Sequence, residues 1–447
     1  MSHSPKTWDL ADAARRLPLL KRGLPEGGMF TGKQWRISPW ALSMDAKRVD
    51  ELHQLGPILR AFQRACNELY FLGISEPRLA WVTELLDLGK PASVIELGRQ
   101  PAWRDALPGV LRPDLLLAAE GWVLTEIDSV PGGMGVTAHL SGLHAGLGDE
   151  VVGGAQGMLR GFARAFGDCN VVISQEAADY EPEMRWLAAE LGRAGLASVR
   201  VSRPAELAGA LNSGERLYRF FELFDLPNLP ELAPVLARAA RSELKLDAPI
   251  KAFLEEKLWL ALFHAPGLES YWRDSLGGAA HRTLSAVIPQ SWVLHPQPLP
   301  VHQLWPGLGV HDFAELESWG RRQRELVIKI SGYSPLGWGA RSVAIGHDLS
   351  PAQWRLALRS ALDHFPKGPY VMQRFERAAV LQHAMVDDAV SLVCIEEVRA
   401  RLCPYYFADG PEAAGVQLGG VLATLCPADK KIIHGMRDAM LLPCAMA

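Results

Sequence analysis

The chain has 447 residues, of which 49% are hydrophobic and 21% are charged, and its formal net charge is -4. This composition is typical of a globular protein with two or three domains. The small negative charge provides no overall basic field, so we expect no nucleic-acid partner. No run reaches the 18 or so uncharged apolar residues of a membrane span, so we expect no membrane partner either.

The six cysteines are scattered along the chain and form no Cys-x-x-Cys pair. This distribution favours a reducing compartment over a structural zinc site. The first eight residues lack an apolar core of signal-peptide length. We therefore expect a cytoplasmic protein, and the sequence leaves its oligomeric state open.

Residues 1–110 are predicted to form a mostly helical N-terminal region. Apolar residues recur at spacings of three and four over residues 45–72, which predicts a helix, and residues 76–88 resemble a second one. The next predicted segment, 111–168, holds a hairpin, a glycine-rich turn and a helix that reaches about residue 166.

The hairpin consists of two short apolar strands, residues 115–118 and 122–127, joined by a turn at residues 120 and 121. Residues two apart in a strand point to the same face. Arg112 and Asp114 therefore project together, as do Glu126 and Asp128, and a tight hairpin can bring both pairs to one side.

Carboxylates collected in this way repel one another unless a cation lies between them. Ligand sets made only of oxygen, with an open coordination side, suit Mg²⁺ that carries phosphates. The alternative is a hairpin whose acidic residues lie in solvent.

The middle segment, 169–250, is predicted to be an α/β unit. Strands at 170–174 and 197–201 flank a helix at 182–192, and this order predicts a βαβ unit with a parallel sheet. A further strand is predicted within residues 217–224.

The last segment, 251–447, begins with a predicted helix over residues 251–264. A proline-rich stretch at 289–306 is either a linker or part of the fold. Strands are then predicted at 326–330, 342–345, 370–375, 391–401 and 420–425, with one helix at 351–364. Long strands with a single helix between them indicate an α+β module rich in antiparallel strands.

Lys329 lies near the end of an apolar strand and leads into a loop that contains Gly332, Gly337 and Gly339. The backbone of such a loop can approach phosphate oxygens closely, and a lysine in the preceding strand can reach the same phosphates. Glycine-rich loops that bind nothing are common, and this one lacks the Walker pattern.

Gln373 lies in the predicted strand 370–375. Its amide could bind the edge of an adenine ring. The alternative is an ordinary core strand with a glutamine that faces solvent.

Taken together, these segments resemble the circularly permuted ATP-grasp ligases, a group that includes the ligase domain of glutathionylspermidine synthases. In that family an Arg-x-Asp is followed by a Glu-x-Asn, and these carboxylates precede the nucleotide-binding lysines in the chain. Arg112-x-Asp114 and Glu126-x-Asp128 match this pattern in order and spacing. Asp128 replaces the usual Asn and adds a negative charge, which can change the number or affinity of bound metal ions.

The resemblance implies an α/β (α+β) fold of the circularly permuted ATP-grasp type, with a βαβ middle region and an N-terminal helical region. Segment 111–168 would carry the metal- and substrate-binding hairpin and helix. Segment 169–250 would be the middle domain, and segment 251–447 would form the nucleotide-binding lobes.

The resemblance also implies ATP and Mg²⁺ as cofactors, and it assigns roles to individual residues. The implied metal ligands are Asp114, Glu126 and Asp128, and Arg112 would bind the transferring phosphoryl group. The implied nucleotide contacts are Lys257, Lys329, Gly332, Gly337, Gly339, Arg341, Gln373 and Arg401. The implied contacts to the carboxylate substrate are Ser129, Gly132 and Gly133.

Two of these assignments have structural alternatives. Lys257 resembles the first ATP lysine of the family, or it is a surface lysine beside Glu255 and Glu256. Arg401 could reach ATP phosphates or a substrate carboxylate, or it forms a surface ion pair with a preceding glutamate.

The activity implied by the resemblance is that of an ATP- and Mg²⁺-dependent carboxylate–amine ligase that forms an amide through an acyl phosphate. Its partners would be small-molecule or peptide carboxylates and amines. One alternative is a catalytically degenerate ATP-grasp protein that binds nucleotide as a regulatory or scaffold module. Another is a binding protein that does not use nucleotide.

Overall fold

The computed structural model describes residues 9–24, 27–31, 34–207, 211–300, 303–337, 341–387, 392–410, 412–433 and 437–447. The α-helices are α1 (Leu10–Gly23), α2 (Ala46–Ser75), α3 (Ala80–Asp87), α4 (Ala92–Gly98), α5 (Met134–Gly146), α6 (Gly157–Phe166), α7 (Glu181–Arg193), α8 (Ala233–Ala240), α9 (Leu258–Leu262), α10 (Glu269–Val287) and α11 (Pro351–Asp363).

The strands are β1 (Gln34–Arg36), β2 (Leu42–Met44), β3 (Val110–Ala118), β4 (Gly121–Asp128), β5 (Cys169–Ile173), β6 (Val199–Ser202), β7 (Arg216–Phe220), β8 (Lys245–Asp247), β9 (Ser291–Leu294), β10 (Leu326–Ile330), β11 (Ala344–Ile345), β12 (Tyr370–Arg374), β13 (Leu381–Asp387), β14 (Leu392–Ala408), β15 (Val416–Pro427) and β16 (Arg437–Met446). The fold is thus a mixed α/β fold.

The N-terminal region is built around α2, which confirms the helix predicted over residues 45–72. The Asp45 side chain accepts the N–H of Arg48 at 2.8 Å and caps the first turn. The helix ends before Pro77, which starts a short 3-10 turn that leads into α3. The sequence prediction missed β1 and β2, which join the large sheet from this region.

The large sheet has the strand order β1-β16-β15-β14-β3-β4, with β13 also paired to β14 and β2 to β16. Its strands from β13 onward pair antiparallel with one another, as predicted for the last segment. The predicted hairpin is β3 and β4, and β3 pairs antiparallel with β14. The hairpin therefore lies beside strands that are almost 300 residues away in sequence.

The second sheet has the order β11-β10-β12-β9 and is antiparallel throughout. Because β9 belongs to it, the proline-rich stretch 289–306 is partly integrated into the fold. The strand predicted over 342–345 is shorter in the structure, where β11 covers two residues.

The third sheet has the order β6-β5-β7-β8 and is parallel throughout. Helix α7 connects β5 to β6, which confirms the predicted βαβ unit. The carboxyl ends of β5 and β7 lie at the same sheet edge, the usual place for ligands in open parallel sheets.

The prediction of one continuous helix over residues 251–264 is wrong. A 3-10 turn covers Ala252–Glu255, and α9 begins only at Leu258. Glu256 between them has an extended backbone (φ -109°, ψ 128°), so the helical run is interrupted. The cause is a long-range contact of the Glu256 side chain, described with the site below.

The three sheets do not follow the four predicted segments one to one, because the large sheet takes strands from the first, second and last of them. The division into four domains stays a prediction. Among the described residues, no helix has both the length and the apolar character needed to cross a bilayer.

We predict that Gly56→Ala destabilises the protein by about 1–3 kcal/mol, the usual cost of an overpacked core. A Cβ on this residue of α2 would lie 2.5 Å from a ring carbon of Tyr406, whose hydroxyl donates to the Leu52 carbonyl at 2.7 Å. The clash should outweigh the gain in helix propensity that alanine normally brings. Urea unfolding measures the difference.

Gly192→Ala in α7 is the matched control, because a Cβ there meets nothing within 4 Å. We expect it to leave stability unchanged or to raise it by up to about 1 kcal/mol. If both variants shift the unfolding midpoint alike, the packing of α2 against β14 is not as described.

Candidate functional site

A cleft with a cavity volume of about 390 Å³ is lined by residues from all three sheets. Twelve of the fifteen predicted site residues line it: Arg112, Asp114, Glu126, Asp128, Ser129, Gly132, Lys257, Lys329, Gly332, Gly337, Gln373 and Arg401. Residues that lie more than 280 positions apart in sequence therefore share one concave surface.

The β3–β4 hairpin supplies the predicted carboxylates. Arg112 lies opposite Asp128 and Asp114 opposite Glu126 in the antiparallel register. Because side chains alternate along a strand, all four project to one face. The prediction that the hairpin brings both pairs to one side is confirmed.

Asp114 is held by basic and polar groups from two strands. Its Oδ2 lies 2.8 Å from Nη1 of Arg401 on β14, and its Oδ1 accepts the Cys403 thiol at 3.3 Å. Burial alone would raise the pKa of Asp114, but Arg401 and Arg112 together hold it below its ordinary value. Asp114 is therefore ionised and both of its oxygens are engaged.

Arg112 pairs with the second carboxylate of the hairpin and with the turn that follows it. Its Nη2 lies 3.0 Å from Oδ2 of Asp128, and its Nη1 donates to the Gly132 carbonyl at 3.2 Å. Burial raises the pKa of Asp128, and Arg112 opposes that shift only in part. The other Asp128 oxygen accepts the N–H of Val130 at 2.9 Å.

Lys257 lies in the cleft and is not the surface lysine of the alternative interpretation. Its side chain is 14% exposed, and its Nζ lies 3.2 Å from Oε2 of Glu126. Burial lowers the pKa of Lys257, but Glu126 more than compensates and the net shift is upward. The lysine is therefore charged at neutral pH.

Lys329 projects from β10 into the same cleft and forms no ion pair with any described residue. Its Nζ donates to the Thr125 carbonyl at 2.7 Å and to Oε1 of Gln373 at 3.1 Å. Burial lowers its pKa to about 8. This lysine is a buried cation with no carboxylate partner.

Gln373 is not the solvent-facing glutamine of the alternative interpretation, and a contact of its strand with an adenine ring stays a prediction. Gln373 is buried, and its Nε2 donates to the Ser291 hydroxyl at 3.0 Å while its Oε1 accepts from Lys329. Both ends of the amide are therefore used inside the protein, and the contact orients Lys329.

Three predicted site residues do not line the cleft as described. Gly133 donates its N–H to Oε1 of Glu183 at 2.7 Å and is not part of the wall. Arg341 is exposed and lies outside the lining. Gly339 lies outside the described residues.

The turn after β4 is tightly held. The Gly132 carbonyl accepts the Tyr405 hydroxyl at 2.7 Å as well as Arg112. Ser129 is buried, and its hydroxyl accepts from Nε2 of Gln63 at 3.4 Å. The predicted role of this turn in binding a carboxylate substrate stays a prediction.

The donor set fits a magnesium ion that arrives with a nucleotide better than a metal held by protein alone. Within the described ranges, no group of three or more His, Cys, Asp or Glu side chains is arranged to hold a metal ion. Glu126 and Asp128 remain 31% and 23% exposed at the cleft. Mg²⁺ is commonly bound by one or two carboxylates together with substrate phosphates.

A buried ion pair, which no sequence pattern indicated, lies next to the cleft lining. Lys90 Nζ lies 2.5 Å from Oε1 of Glu256, and their side chains are 2% and 1% exposed. The Ser331 hydroxyl donates to the other Glu256 oxygen and accepts the N–H of Leu258 at 2.9 Å. This network joins the N-terminal region, the residue next to Lys257 and the start of the glycine-rich loop.

Gly332 is needed where this network meets the loop. A Cβ at this position would lie 2.6 Å from the Glu255 carbonyl oxygen. Only glycine allows the loop to pass this close to the backbone beside Lys257.

The sequence also gave no role to the wall contributed by the third sheet. Tyr180, Phe221, Glu222 and Phe224 line the cleft after β5 and β7. The predicted parallel sheet could have indicated this wall of the cleft, because ligands usually bind where parallel strands end. The order of strands, which decides whether β5 and β7 are neighbours, could not be predicted.

No protein-family model and no curated protein matches the sequence. Among solved structures, a glutathione synthetase-like effector from Globodera pallida in its apo form matches over 98% of this chain and 97% of its own, with 14% identity and a TM-score of 0.55. A candidate gamma-glutamylcysteine synthetase from Methylobacillus flagellatus matches over 81% of this chain and 86% of its own, with 11% identity and a TM-score of 0.42, which supports no conclusion. The first match shows that the chain shares the overall fold of the effector.

We predict that Lys90→Met lowers the free energy of unfolding by about 3–5 kcal/mol, because it leaves the buried Glu256 carboxylate without its cation. The double variant Lys90→Met/Glu256→Gln should recover part of that loss. Urea unfolding of the two variants gives both values.

Lys47→Met is the matched control, since Lys47 and Glu51 form an exposed pair at 3.8 Å. We expect it to cost less than about 1 kcal/mol. A Lys90 variant as stable as the Lys47 variant would contradict the buried network.

Proposed function

We propose that the protein is an ATP- and Mg²⁺-dependent carboxylate–amine ligase of the ATP-grasp type, with its elements in circularly permuted order. Its substrates would be a carboxylate and an amine of small-molecule or peptide size. The observation that carries this proposal is one cleft that contains the unpaired cation Lys329, the cations Lys257 and Arg112, and two carboxylates that face the opening.

The permuted order is supported by the arrangement of the chain around the cleft. The carboxylates lie at residues 114–128, ahead of Lys257 and Lys329, yet all of them line the same cavity. The fold shared with a glutathione synthetase-like effector is compatible with this type of ligase.

The chemistry of such a ligase depends mainly on positioning and on charge neutralisation. Lys329 and Lys257 would bind phosphate oxygens, and the backbone of the loop at Gly332 and Gly337 would cover them. Glu126 and Asp128 would hold Mg²⁺, which supplies further neutralisation of the phosphates.

Arg112 lies at the junction of the hairpin and the substrate-side turn. It would bind the transferring phosphoryl group and the negative charge that develops on the acyl phosphate. Arg401 holds Asp114 and so fixes the face from which Arg112 projects. Asp114 would join the metal only by exchanging one of its present contacts.

The second candidate, a degenerate module that binds nucleotide without catalysis, is favoured by one observation. Asp114, Glu126 and Asp128 are all engaged in ion pairs. Phosphate release from ATP in mixtures of carboxylates and amines would support the ligase. ATP binding without release in any such mixture would support the module.

We predict that Lys329→Met weakens Mg-ATP binding at pH 7 by at least tenfold, because the cleft loses its unpaired cation. Calorimetric titration measures the affinity. Lys47→Met, which changes an exposed lysine far from the cleft lining, should bind as the wild type does. Equal affinity of the Lys329 variant and the wild type would remove Lys329 from the site.

The wild-type affinity for Mg-ATP should also depend on pH. The pKa of Lys329 is about 8, with Glu126, Lys257 and Asp114 facing it. The lysine is charged below this pH and loses its proton above it, so affinity should be full below pH 8 and fall as the pH rises. The Lys329→Met variant should lack this titration, and an identical profile in both proteins would contradict the assignment.

Glu126→Gln should abolish Mg²⁺-dependent ATP turnover while changing the free energy of unfolding by no more than about 1 kcal/mol, because Glu126 is partly exposed. A coupled assay of ADP release with a panel of carboxylates and amines gives the rate. Turnover at the wild-type rate would exclude Glu126 as a metal ligand.

A further inference from the structure

The acidic side chains of the cleft wall are not all compensated. Four of them have a basic partner in the structure: Asp114 with Arg401, Glu126 with Lys257, Asp128 with Arg112, and Glu255 with Arg219. Glu222 and Glu376 also line the cleft, and neither carboxyl group forms an ion pair or hydrogen bond with any of the described residues; of the two, Glu222 belongs to the wall contributed by the third sheet. The Glu222 carboxyl group is therefore available to pair with a cation of a ligand.

Glu222 lies at the edge of the third sheet where ligands of open parallel sheets usually bind. It follows β7 by two residues, at the edge where β7 and its parallel neighbour β5 both end. Ala177, Tyr180 and Phe224 also line the cleft and add apolar and aromatic surface to it.

The surroundings of Glu222 disfavour its charge while the cleft holds no ligand. Burial first, and then the neighbouring Glu255 and Asp128, raise its pKa well above the ordinary value, and Arg219 and Lys257 oppose this only in part. A positively charged group on a ligand would reverse this situation, since an opposite charge favours the ionised carboxyl.

We infer that Glu222 binds the ammonium group of the amine substrate and removes a proton from it, and that the adjoining wall accepts an apolar or aromatic group of the same molecule. The amine would therefore be a primary amine with an apolar or aromatic substituent. This inference rests on the proposed ligase function.

The proton and bond changes balance without a further reactant. Glu222 accepts one proton from the ammonium group, which leaves a neutral amine with a lone pair. That lone pair forms the bond to the carbonyl carbon of the acyl phosphate, and the bond between this carbon and the phosphate oxygen breaks. The second proton leaves the nitrogen with the departing phosphate, giving an amide and hydrogen phosphate.

Three small probes separate charge from apolar character: 2-phenylethylamine has both, 2-phenylethanol has only the ring, and ethylamine has only the charge. Calorimetric titration into the full-length protein should show that 2-phenylethylamine binds at least tenfold more tightly than either of the other two. Comparable binding of all three, or no binding of 2-phenylethylamine, would overturn the inference.

Two variants at the same position test the carboxylate. Glu222→Gln keeps the shape of the side chain and should lower the affinity for 2-phenylethylamine at least tenfold while leaving 2-phenylethanol unaffected. Glu222→Asp keeps the charge and should restore part of the loss. Unchanged binding of 2-phenylethylamine to the Gln variant would overturn the role of Glu222.

The proposed function can fail independently of this subsite. Lys329→Met should weaken Mg-ATP binding and leave the affinity for 2-phenylethylamine unchanged, because the Lys329 side chain contacts Thr125 and Gln373 and not Glu222. If the wild type binds 2-phenylethylamine through Glu222 but binds no Mg-ATP, the ligase proposal fails and the cation subsite stands. If it binds Mg-ATP but Glu222 proves irrelevant to amines, the reverse holds.

Discussion

The antiparallel register of β3 and β4 is the constraint on which the cleft depends. It places Arg112 opposite Asp128 and Asp114 opposite Glu126, so that one arginine and three carboxylates share a single face. A partly buried cluster with this excess of negative charge is stable only if other cations reach it. They come from distant parts of the chain, Arg401 from β14 and Lys257 from the turn before α9. The need to neutralise the hairpin carboxylates thus explains why β14 and the turn before α9 lie beside the hairpin.

The network of Lys90, Glu256 and Ser331 shows how the second cation is positioned. A lysine next to an ordinary helix could swing through several rotamers, and its ion pair with Glu126 would then be weak. Here the residue before Lys257 is fixed by a buried ion pair, and the Lys257 N–H donates to the Ser331 carbonyl at 3.2 Å. The same contacts fix the beginning of the glycine-rich loop. The N-terminal region therefore contributes to the site through Lys90, whose ion pair fixes the position of Lys257 relative to the glycine-rich loop.

Sequence patterns correctly predicted those parts of the structure that depend on interactions between residues close together in the chain. Alternation along a strand identified the hairpin face, and the order of strand, helix and strand identified the parallel sheet, because both follow from backbone geometry over a few residues. The helix over 251–264 was predicted wrongly, since its apolar spacing is helical but the carboxylate of Glu256 is drawn to Lys90, 166 positions earlier. Gln373 was placed in the correct strand, yet its partner Ser291 lies on a strand that the sequence left between linker and fold. No role was assigned to Glu222 from the sequence, because its significance depends on which side chains the fold places beside it.

The cleft contains a basic and an acidic side chain that lack a partner of opposite charge. Among the described residues, Lys329 is a cation with no carboxylate partner, and Glu222 is a carboxyl group with no ion-pair partner whose charge is disfavoured by burial. Leaving either group without a partner costs folding free energy in a partly buried place, and pairing the two directly would be the cheaper arrangement. A protein that only binds nucleotide has a use for the first charge and none for the second. Keeping the two unpaired leaves one cleft that can receive both an anion and a cation. That is the electrostatic requirement for bringing a phosphorylated carboxylate and a charged amine together before they react.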